Sequence, residues 1–383
     1  MARFFYGNFD FEHRLADAKY EPSAALKRLN AELATAWLAV AEDGDLIWTP
    51  VSIEPDFFLE ATRNGMPSVV PVTSLSEVPR EVEFVPWGWS AEVRKLAIQF
   101  GWSMDAPTEN AVRQANSRAT SNELEQRGNF RLDGSRKIES PDQLDEAIQA
   151  TYASGSRWVI KAEFGMSARE RILGRGAATE ADKNWVRRRL TRHGAVFFEP
   201  WVERIDEVGI QIEISKHKPP ELLGVSTMLV DERGQYAGSG FAGCESRLFA
   251  NLTLLQDAIS TALSAATHLK SLGYFGPLGI DAMLYRDTAG DLRIRPLQDI
   301  NARWTMGRLS LGLRRLTRTG DHGIWFHGPQ GKLQHEDLLK KERVIATSPT
   351  RVGDEPCRHS SKIRISSSDF AEEAKKIVLS EFP

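Results

Sequence analysis

Short apolar runs alternate with amphipathic segments through the first hundred or so residues. The runs AWLAV (36–40) and EVEFVPW (81–87) have the length of strands, whereas SAEVRKLAIQFG (90–101) has the spacing of an amphipathic helix. Ser90 has the chemistry of an N-cap, and Gly101 is a typical helix stop. This alternation predicts an α/β layer at the N-terminus.

The pattern changes near Ala115, where polar helices and strands begin to alternate. The predicted elements are a polar helix in NSRATSNELEQRG, a helix at 141–153, a strand at 157–162, a glycine-containing loop, a basic helix at 181–193, a strand at 195–202 and a long β-like tract at 208–230. The helical spacing of Trp185, Val186 and Leu190 indicates that the basic helix docks one face on the protein.

A long helix and a β-hairpin follow. LTLLQDAISTALSAATHLKSLG (252–273) is helical, and GIDAMLYRDTAGDLRIRPLQDIN reads as two strands around a turn at 287–291. The last sixty residues show one more helix, DFAEEAKKIVL, and few other signals. The sequence therefore predicts an α/β segment at 1–115, a mixed α/β (α+β) segment at 116–320 and a C-terminal extension at 321–383.

Composition narrows the class of protein. With 383 residues, 41% of them hydrophobic and 26% charged, the chain has an ordinary globular composition and the length of two or three domains. The net charge of -3 predicts neither a nucleic-acid nor a membrane partner. Two distant cysteines exclude a cysteine-built zinc site and favour a reducing compartment. No signal peptide or long apolar run is visible, so we expect a soluble cytoplasmic protein.

The hairpin carries the most informative polar residues. If the chain turns near Gly290, Asp281 falls opposite Asp299, and the two-residue period of a strand places Asn301 on the same face. Opposed carboxylates about 5 Å apart repel each other unless a positive group lies between them. Magnesium prefers such oxygen ligands and usually takes one or two carboxylates plus phosphates. The alternative is a solvated hairpin face with two unrelated acids.

The D-x-N-x-R ending of this hairpin, with an acid on its partner strand, resembles the metal site of the ATP-grasp superfamily. The resemblance spans roughly residues 115–315 and implies two α/β lobes that clamp ATP, preceded by an N-terminal α/β pre-ATP-grasp domain. It implies that Asp281, Asp299 and Asn301 hold Mg²⁺, with Mn²⁺ as an alternative. It also implies that Arg303, one step further along the strand, faces the transferring phosphoryl group.

A lysine strand that runs into a loop supports the resemblance. WVIKAEFGMSAR (158–169) is similar to the superfamily's V-x-K strand and phosphate-covering loop, which makes Lys161 the candidate for the α- and β-phosphates and for catalysis. The loop has fewer glycines than is usual, and Ser167, with Arg169 and Arg171, could supply side-chain donors instead. The alternative is a strand-end lysine that reaches solvent.

A third segment, FFEPWVERIDEVGIQIEI (197–214), is similar to the superfamily's hinge. The resemblance implies that Glu199, Trp201 and Val202 read the adenine edge and that Glu207 reaches the ribose hydroxyls, with Glu203 as a rival. The alternative for these acids is an ordinary charged surface turn.

A basic residue usually precedes the lysine strand by about forty positions in this superfamily. In this chain Arg118 occupies that place, and the competing interpretation is a solvated charge on a polar helix. Trp87 and Trp89 could line a substrate pocket, although buried aromatic residues usually belong to a core.

Two nucleotide motifs are set aside. GSGFAG (238–243) satisfies G-x-G-x-x-G, but no helix follows it directly, so we expect a flexible loop over the acceptor site rather than a dinucleotide fold. No G-x-x-x-x-G-K-[ST] sequence occurs, which excludes a P-loop.

The function implied by the resemblance is that of an ATP-dependent carboxylate–amine ligase. A carboxylate oxygen is a poor leaving group, and phosphoryl transfer makes it a better one, after which an amine displaces phosphate. The expected partners are a small-molecule carboxylate and an amine, with amino acids among the candidates. The oligomeric state is open, and a homodimer is one possibility. Two alternatives stay open: an ATP-grasp small-molecule kinase and a non-catalytic nucleotide-binding module.

Overall fold

The chain begins with a parallel sheet in the order β3-β2-β1-β4. The computed structural model describes residues 1–151, 156–165, 170–243, 251–331 and 343–381. The strands of this first sheet are β1 (Arg3–Tyr6), β2 (Leu46–Trp48), β3 (Val70–Val72) and β4 (Glu83–Pro86). Its helices are α1 (Phe11–Ala16), α2 (Ala24–Leu33), α3 (Pro55–Arg63) and α4 (Ala91–Phe100). This N-terminal layer confirms the predicted α/β arrangement.

Local signals predicted one helix here correctly and missed another. Helix α4 begins after Ser90, whose hydroxyl accepts from the Val93 N–H, and ends at Gly101 in the left-handed conformation that glycine adopts without strain. The run AWLAV, whose length suggested a strand, instead lies mostly within a buried 3₁₀ helix, Ala34–Ala39. Trp37 in that helix stacks on Phe5 of β1. A short run that is apolar on every side fits a buried helix as well as a strand.

Two helices lead into a four-stranded antiparallel sheet. Helix α5 (Glu109–Ala115) and helix α6 (Arg118–Gly128) precede it. The sheet has the order β5-β8-β6-β7 and is flanked by two helices; these elements are β5 (Arg136–Ile138), α7 (Pro141–Thr151), β6 (Arg157–Lys161), β7 (Arg171–Arg175), α8 (Glu180–His193) and β8 (Val196–Pro200). Trp158, Ile160 and Phe198 form its core with Leu144 of α7 and Val186 of α8. We call this unit the four-stranded lobe.

An eight-stranded antiparallel sheet forms the centre of the molecule, in the order β13-β12-β9-β10-β11-β14-β18-β15. Its strands are β9 (Glu203–Ile214), β10 (Glu221–Val230), β11 (Tyr236–Ala242), β12 (Gly276–Arg286), β13 (Leu292–Asn301), β14 (His322–Pro329), β15 (Arg343–Ala346) and β18 (His359–Ser366). A small ribbon, β16 (Arg351–Val352) with β17 (Glu355–Pro356), lies beside it in sequence. Three helices complete the chain: α9 (Leu252–Ser271), α10 (Met306–Gly312) and α11 (Ala371–Glu381).

The largest core joins the central sheet to the N-terminal layer. Small residues of α9, among them Ala258, Ala262 and Ala266, are buried together with Ile210 and Ile280 of the sheet. The same core includes Phe5, Trp37 and Trp87. Burial of about 25 cal/mol per Å² of apolar surface makes such a shared core the main force that holds the two units together.

Strand β11 contradicts one expectation from the sequence. GSGFAG was expected as a flexible loop, but all of its residues except Gly243 belong to β11, which pairs with β10 on one side and β14 on the other. A Cβ on Gly238 would lie 2.7 Å from the Trp325 carbonyl oxygen, so a close approach of two backbones explains the glycine.

The C-terminal segment is part of the central sheet. Residues 321–383 were expected as an extension with one helix, and α11 confirms that helix. Strands β14, β15 and β18, however, continue the sheet that begins with β13. Trp325 and Ile363 on these strands are fully buried. Among the described residues, no helix is long and apolar enough to cross a membrane.

Candidate active site

A cavity of about 760 Å³ lies where the N-terminal layer, the four-stranded lobe and the central sheet meet. Its walls include nine of the residues singled out in the sequence. Seven carry the candidate nucleotide and metal chemistry, namely Arg118, Lys161, Glu207, Asp281, Asp299, Asn301 and Arg303, and the other two are Trp87 and Arg171. The seven come from helix α6, strands β6, β9, β12 and β13, and the segment after β13. Segments separated by up to 185 residues therefore contribute to one site.

The β12–β13 hairpin brings its acids face to face. Asp281 pairs with Asp299, and Gly279 with Asn301, in the register expected from the sequence. Burial first, and then the neighbouring Asp299 and Glu207 carboxylates, raise the pKa of Asp281 to about 8, although its side chain still meets the cavity. A divalent cation would relieve this repulsion, so the donor set fits one.

The two acids do not form a complete protein cage for a metal. Among the described residues, no group of three or more His, Cys, Asp or Glu side chains is arranged to hold an ion. The Asn301 amide and nucleotide phosphates would have to supply the other ligands, as is usual for magnesium. The Asn301 Nδ2 donates to Asp281 Oδ2 at 3.3 Å, so its amide would have to turn before its oxygen could bind a metal.

Arg303 is held between two units of the fold. Its Nε donates to the Glu12 carboxylate of α1, Nη1 donates to the Trp304 carbonyl oxygen at 2.8 Å, and Nη2 donates to Asn301 Oδ1 at 3.0 Å. The guanidinium also lies over the Trp87 ring, 5.4 Å from its centroid. Glu12, which the sequence did not single out, therefore anchors this arginine.

Trp87 and Trp89 lie in different parts of the structure. Trp87 is 5% exposed, lines the cavity and packs against Phe9 with ring centroids 4.8 Å apart. Trp89 packs edge-on against Phe84 in the core of the N-terminal layer. Of the two tryptophans predicted to line a pocket, only Trp87 is among the described residues of the cavity wall.

Arg118 links helix α6 to the metal-side acid. Its Nε donates to the Ala162 carbonyl oxygen at 3.1 Å, and its Nη1 lies 3.4 Å from Asp299 Oδ1. The side chain is only 13% exposed. Arg118 is therefore not a solvated charge on a polar helix, and it lines the cavity beside Asp299.

Lys161 ends strand β6 and forms an ion pair. Its Nζ lies 2.7 Å from Glu199 Oε2. Burial, with further contributions from Arg118 and Arg295, lowers the pKa of Lys161, and Glu199 partly opposes this. Ser167 and Arg169 lie outside the described residues. Arg171, the third loop candidate, lines the cavity.

In the segment similar to a hinge, the acid has largely buried partners. Glu199 turns inward, and its carboxylate binds both Arg295 and Lys161. Among the described residues that line the cavity, Glu199, Trp201 and Val202 are not found. The guanidinium groups of Arg157 and Arg204 both lie over the Trp201 ring, and the backbone N–H of Trp201 donates to the Arg157 carbonyl oxygen at 3.0 Å. Adenine recognition by these three residues stays a prediction.

The two acids considered for the ribose differ in position. Glu207 is 4% exposed, lines the cavity and accepts a hydrogen bond from Arg204 at 3.1 Å. Glu203 is exposed, and its Oε1 lies 3.8 Å from Arg286 Nε. Of the two, only Glu207 can reach a ligand in the cavity.

Several cavity residues were not visible from the sequence. Gln211 on β9 is 1% exposed, and its Oε1 accepts from the Thr305 hydroxyl at 2.8 Å. A Cβ on Gly307 would lie 2.5 Å from Gln211 Nε2, so this glycine makes room for the amide. Arg295, beside the cavity rather than in its wall, was missed as well, and the register shift of β13 between Arg295 and Asp299 interrupts the alternation that could have indicated it.

Comparisons with known proteins show which fold this is. No family model matches the chain, and no curated protein matches it by sequence. Solved structures match over nearly the full length. The chain is similar to an ADP complex of N5-carboxyaminoimidazole ribonucleotide synthetase, at 13% identity and a TM-score of 0.53, with 98% of this chain and 97% of that chain covered.

Two further structures agree. The Staphylococcus aureus N5-carboxyaminoimidazole synthetase in complex with ADP has 10% identity and a TM-score of 0.55, covering 100% of this chain and 96% of that chain. The biotin carboxylase domain of Hydrogenobacter thermophilus 2-oxoglutarate carboxylase, in complex with MgADP, ADP and bicarbonate, has 12% identity and a TM-score of 0.53, covering 98% and 89%. On this evidence the protein has the fold of the ATP-grasp superfamily.

Proposed function

We propose that the protein is an ATP-dependent carboxylate–amine ligase that forms an amide or peptide-like bond through an acyl phosphate. The observation that carries the proposal is that one cavity is lined both by the Asp281–Asp299 pair and by the cations Arg118 and Lys161, with Arg118 Nη1 3.4 Å from Asp299 Oδ1. The neighbours with this fold include two synthetases solved in complex with ADP and a biotin carboxylase domain solved with MgADP, ADP and bicarbonate.

The nucleotide half of the cavity consists of Arg118, Lys161 and Glu207 with the two acids. Arg118 and Lys161 provide positive charge for phosphates, and Glu207 provides an acceptor for ribose hydroxyls. Asp281, Asp299 and the Asn301 amide would hold Mg²⁺, which supplies charge neutralisation on the phosphates when bound. Mn²⁺ is compatible with the same oxygen donors.

Arg303 is proposed to stabilise the phosphoryl group in transfer. Its guanidinium is fixed by Glu12 and lies beside Asn301, so it is oriented before a ligand arrives. A donor that is already in place costs no reorganisation during the reaction. The carboxylate oxygen of the substrate would attack the γ-phosphorus, and ADP would leave.

The acceptor half of the cavity is lined by α2 and by strands β11, β14 and β18. Tyr236, His327 and His359 are its polar wall. His327 Nδ1 and His359 Nε2 are 3.3 Å apart, and the buried His327 Nε2 has no hydrogen-bond partner among the described residues. Burial lowers the pKa of His359 to about 4 and that of His327 as well. Because the low pKa values keep both imidazoles neutral and make them poor bases, we assign them to hydrogen bonding with the amine.

A product assay tests the function directly. The protein is incubated with ATP, Mg²⁺ and a panel of carboxylates and amines, including amino acids, and ADP release is followed with mass spectrometry of the products. We expect ADP and phosphate to appear only when both an acid and an amine are present, together with their condensed product. A phosphorylated small molecule would instead identify a kinase, and ADP binding without turnover would identify a nucleotide-binding module.

A further inference from the structure

Three buried charged side chains and the partly buried Lys161 form a network beside the cavity. Arg295 on β13 donates from Nε and Nη2 to the two oxygens of Glu125, at 2.5 and 2.9 Å. It also donates from Nη1 and Nη2 to the two oxygens of Glu199, at 2.9 and 3.0 Å. Glu199 in turn holds Lys161. Two acids and two bases thus balance their charges, and of the four only Lys161 lines the cavity.

This network joins three units that carry different parts of the site. Lys161 and Glu199 lie on strands β6 and β8 of the four-stranded lobe, Glu125 lies on helix α6, and Arg295 lies on β13. The same strand β13 carries Asp299, four residues further along. The candidate phosphate contact is therefore connected through two side chains to the strand of the candidate metal ligands.

We propose that Arg295 is a positioning residue for Lys161, because it fixes both oxygens of Glu199 and thereby fixes the place of the lysine ammonium relative to Asp299. Arg295 is not among the described residues that line the cavity, so it acts through Glu199 and does not contact a ligand there. The inference rests on the proposed function in treating Lys161 as a phosphate contact.

The geometry requires an arginine at this position. One planar guanidinium serves two carboxylates on different elements, with two contacts to each. A lysine offers one compact charge and cannot keep both pairs of contacts. With side chains 3 to 9% exposed, neither Glu125 nor Glu199 has water to replace a lost partner.

The electrostatics of the network agree with this role. Burial disfavours the charge of Glu199, yet Arg295 and Lys161 together hold its pKa far below the usual range for a glutamate. Glu199 therefore stays ionised and available to Lys161 throughout the neutral range. Burial also raises the pKa of Glu125, but its two short contacts to Arg295 favour the carboxylate.

The first experiment compares variants within the network by calorimetric binding of ADP, with and without Mg²⁺. We expect Arg295→Met and Glu199→Gln to weaken ADP binding by about 10-fold or more, and Arg295→Lys to restore part of the loss. Glu125→Gln is the matched control, because Glu125 is equally buried and contacts the same guanidinium but not Lys161. Arg293→Met, at the exposed turn end of β13, controls for the strand. Equal losses in Glu125→Gln and Glu199→Gln would overturn the proposal.

A second experiment does not depend on nucleotide binding. Lys161 is labelled with an amine-reactive acylating reagent across pH, and its modification is followed by mass spectrometry. Arg295→Met removes a nearby positive charge and should raise the pKa of Lys161, whereas Glu199→Gln removes its partner and should lower it. An unchanged labelling midpoint in both variants would overturn the proposal. If the unaltered protein fails to bind ADP, the proposed function fails, while the labelling result still decides the role of Arg295.

Discussion

The Nη2 atom of Arg303 lies 3.0 Å from Oδ1 of Asn301, while the Nδ2 of the same amide faces Asp281 at 3.3 Å. The amide is therefore paired at both ends. For Asn301 to offer its oxygen to a cation, it must release both contacts. Binding of a cation would thus free Asp281 from its amide donor and free one N–H of Arg303 at the same time.

The metal assignment predicts a loss that depends on magnesium. Asp299→Asn should weaken Mg²⁺-dependent ADP binding by at least about 10-fold, because one of the two opposed carboxylates loses its charge. ADP binding without Mg²⁺ should change little. Calorimetry with and without the ion measures both. Asp291→Asn, an exposed acid of the same hairpin turn, is the control and should behave as the unaltered protein does. If Mg²⁺ still strengthened ADP binding to Asp299→Asn as it does for the unaltered protein, Asp299 would not be a metal ligand.

The role given to Arg303 predicts a separation of binding from turnover. Arg303→Ala should lower kcat by about 10² to 10³-fold while the Kd of MgADP stays within a few-fold. Glu12→Gln should lower kcat by about 10-fold, because the guanidinium loses its anchor but keeps its charge. Since both act through one contact, the double variant should be no worse than Arg303→Ala alone. Steady-state kinetics with the acceptor pair decide this, and additive losses would contradict it.

Local patterns were sufficient for the hairpin but not for its surroundings. The facing of Asp281 and Asp299 follows from a turn and a two-residue period, and both can be read within twenty residues. Arg303 and Glu12 are 291 residues apart, and Arg295 and Glu125 are 170 apart. Their contacts depend on how whole sheets pack against each other. No short stretch of the sequence reveals that packing.

The wrong expectation for GSGFAG has an equally specific cause. The run has few side chains, so it carries no alternation that could indicate a strand, and its pairing depends on the Trp325 backbone of a distant strand. Glu199 has the spacing of a hinge acid, but that spacing does not indicate that its carboxylate contacts Arg295 and Lys161. Spacing alone does not report which partner a buried acid has.

The close approach of β11 to β14 predicts a stability defect. Gly238→Ala should lower the free energy of unfolding by at least about 2 kcal/mol, because the added Cβ would lie 2.7 Å from a backbone oxygen that cannot turn away. Gly290→Ala is the comparison: its φ of +86° strains the backbone by about 1 kcal/mol, but nothing lies within 4 Å of the new atom. Urea unfolding of both variants measures the difference. Equal losses would show that β11 tolerates the extra atom.

The two imidazoles of the acceptor wall predict an acid-sensitive fold. Burial lowers the pKa of His359 to about 4 from a usual value of 6.5, and it lowers that of His327 in the same direction. Below pH 6.5 these two histidines therefore bind protons in the unfolded chain but remain neutral in the folded chain. Stability is retained above pH 6.5 and falls as the pH decreases towards 4, by up to about 1.4 kcal/mol per pH unit for each histidine.

The variant His359→Gln should flatten this part of the pH profile, because glutamine does not titrate. Urea unfolding at several pH values between 4 and 7 gives the slope, which we expect to be smaller than that of the unaltered protein by up to about 1.4 kcal/mol per pH unit. His217→Gln is the control, because His217 is exposed and its surroundings change little on unfolding. If His359→Gln keeps the full slope while His217→Gln reduces it, the acid sensitivity arises elsewhere, and the neutral state of the acceptor wall loses its support.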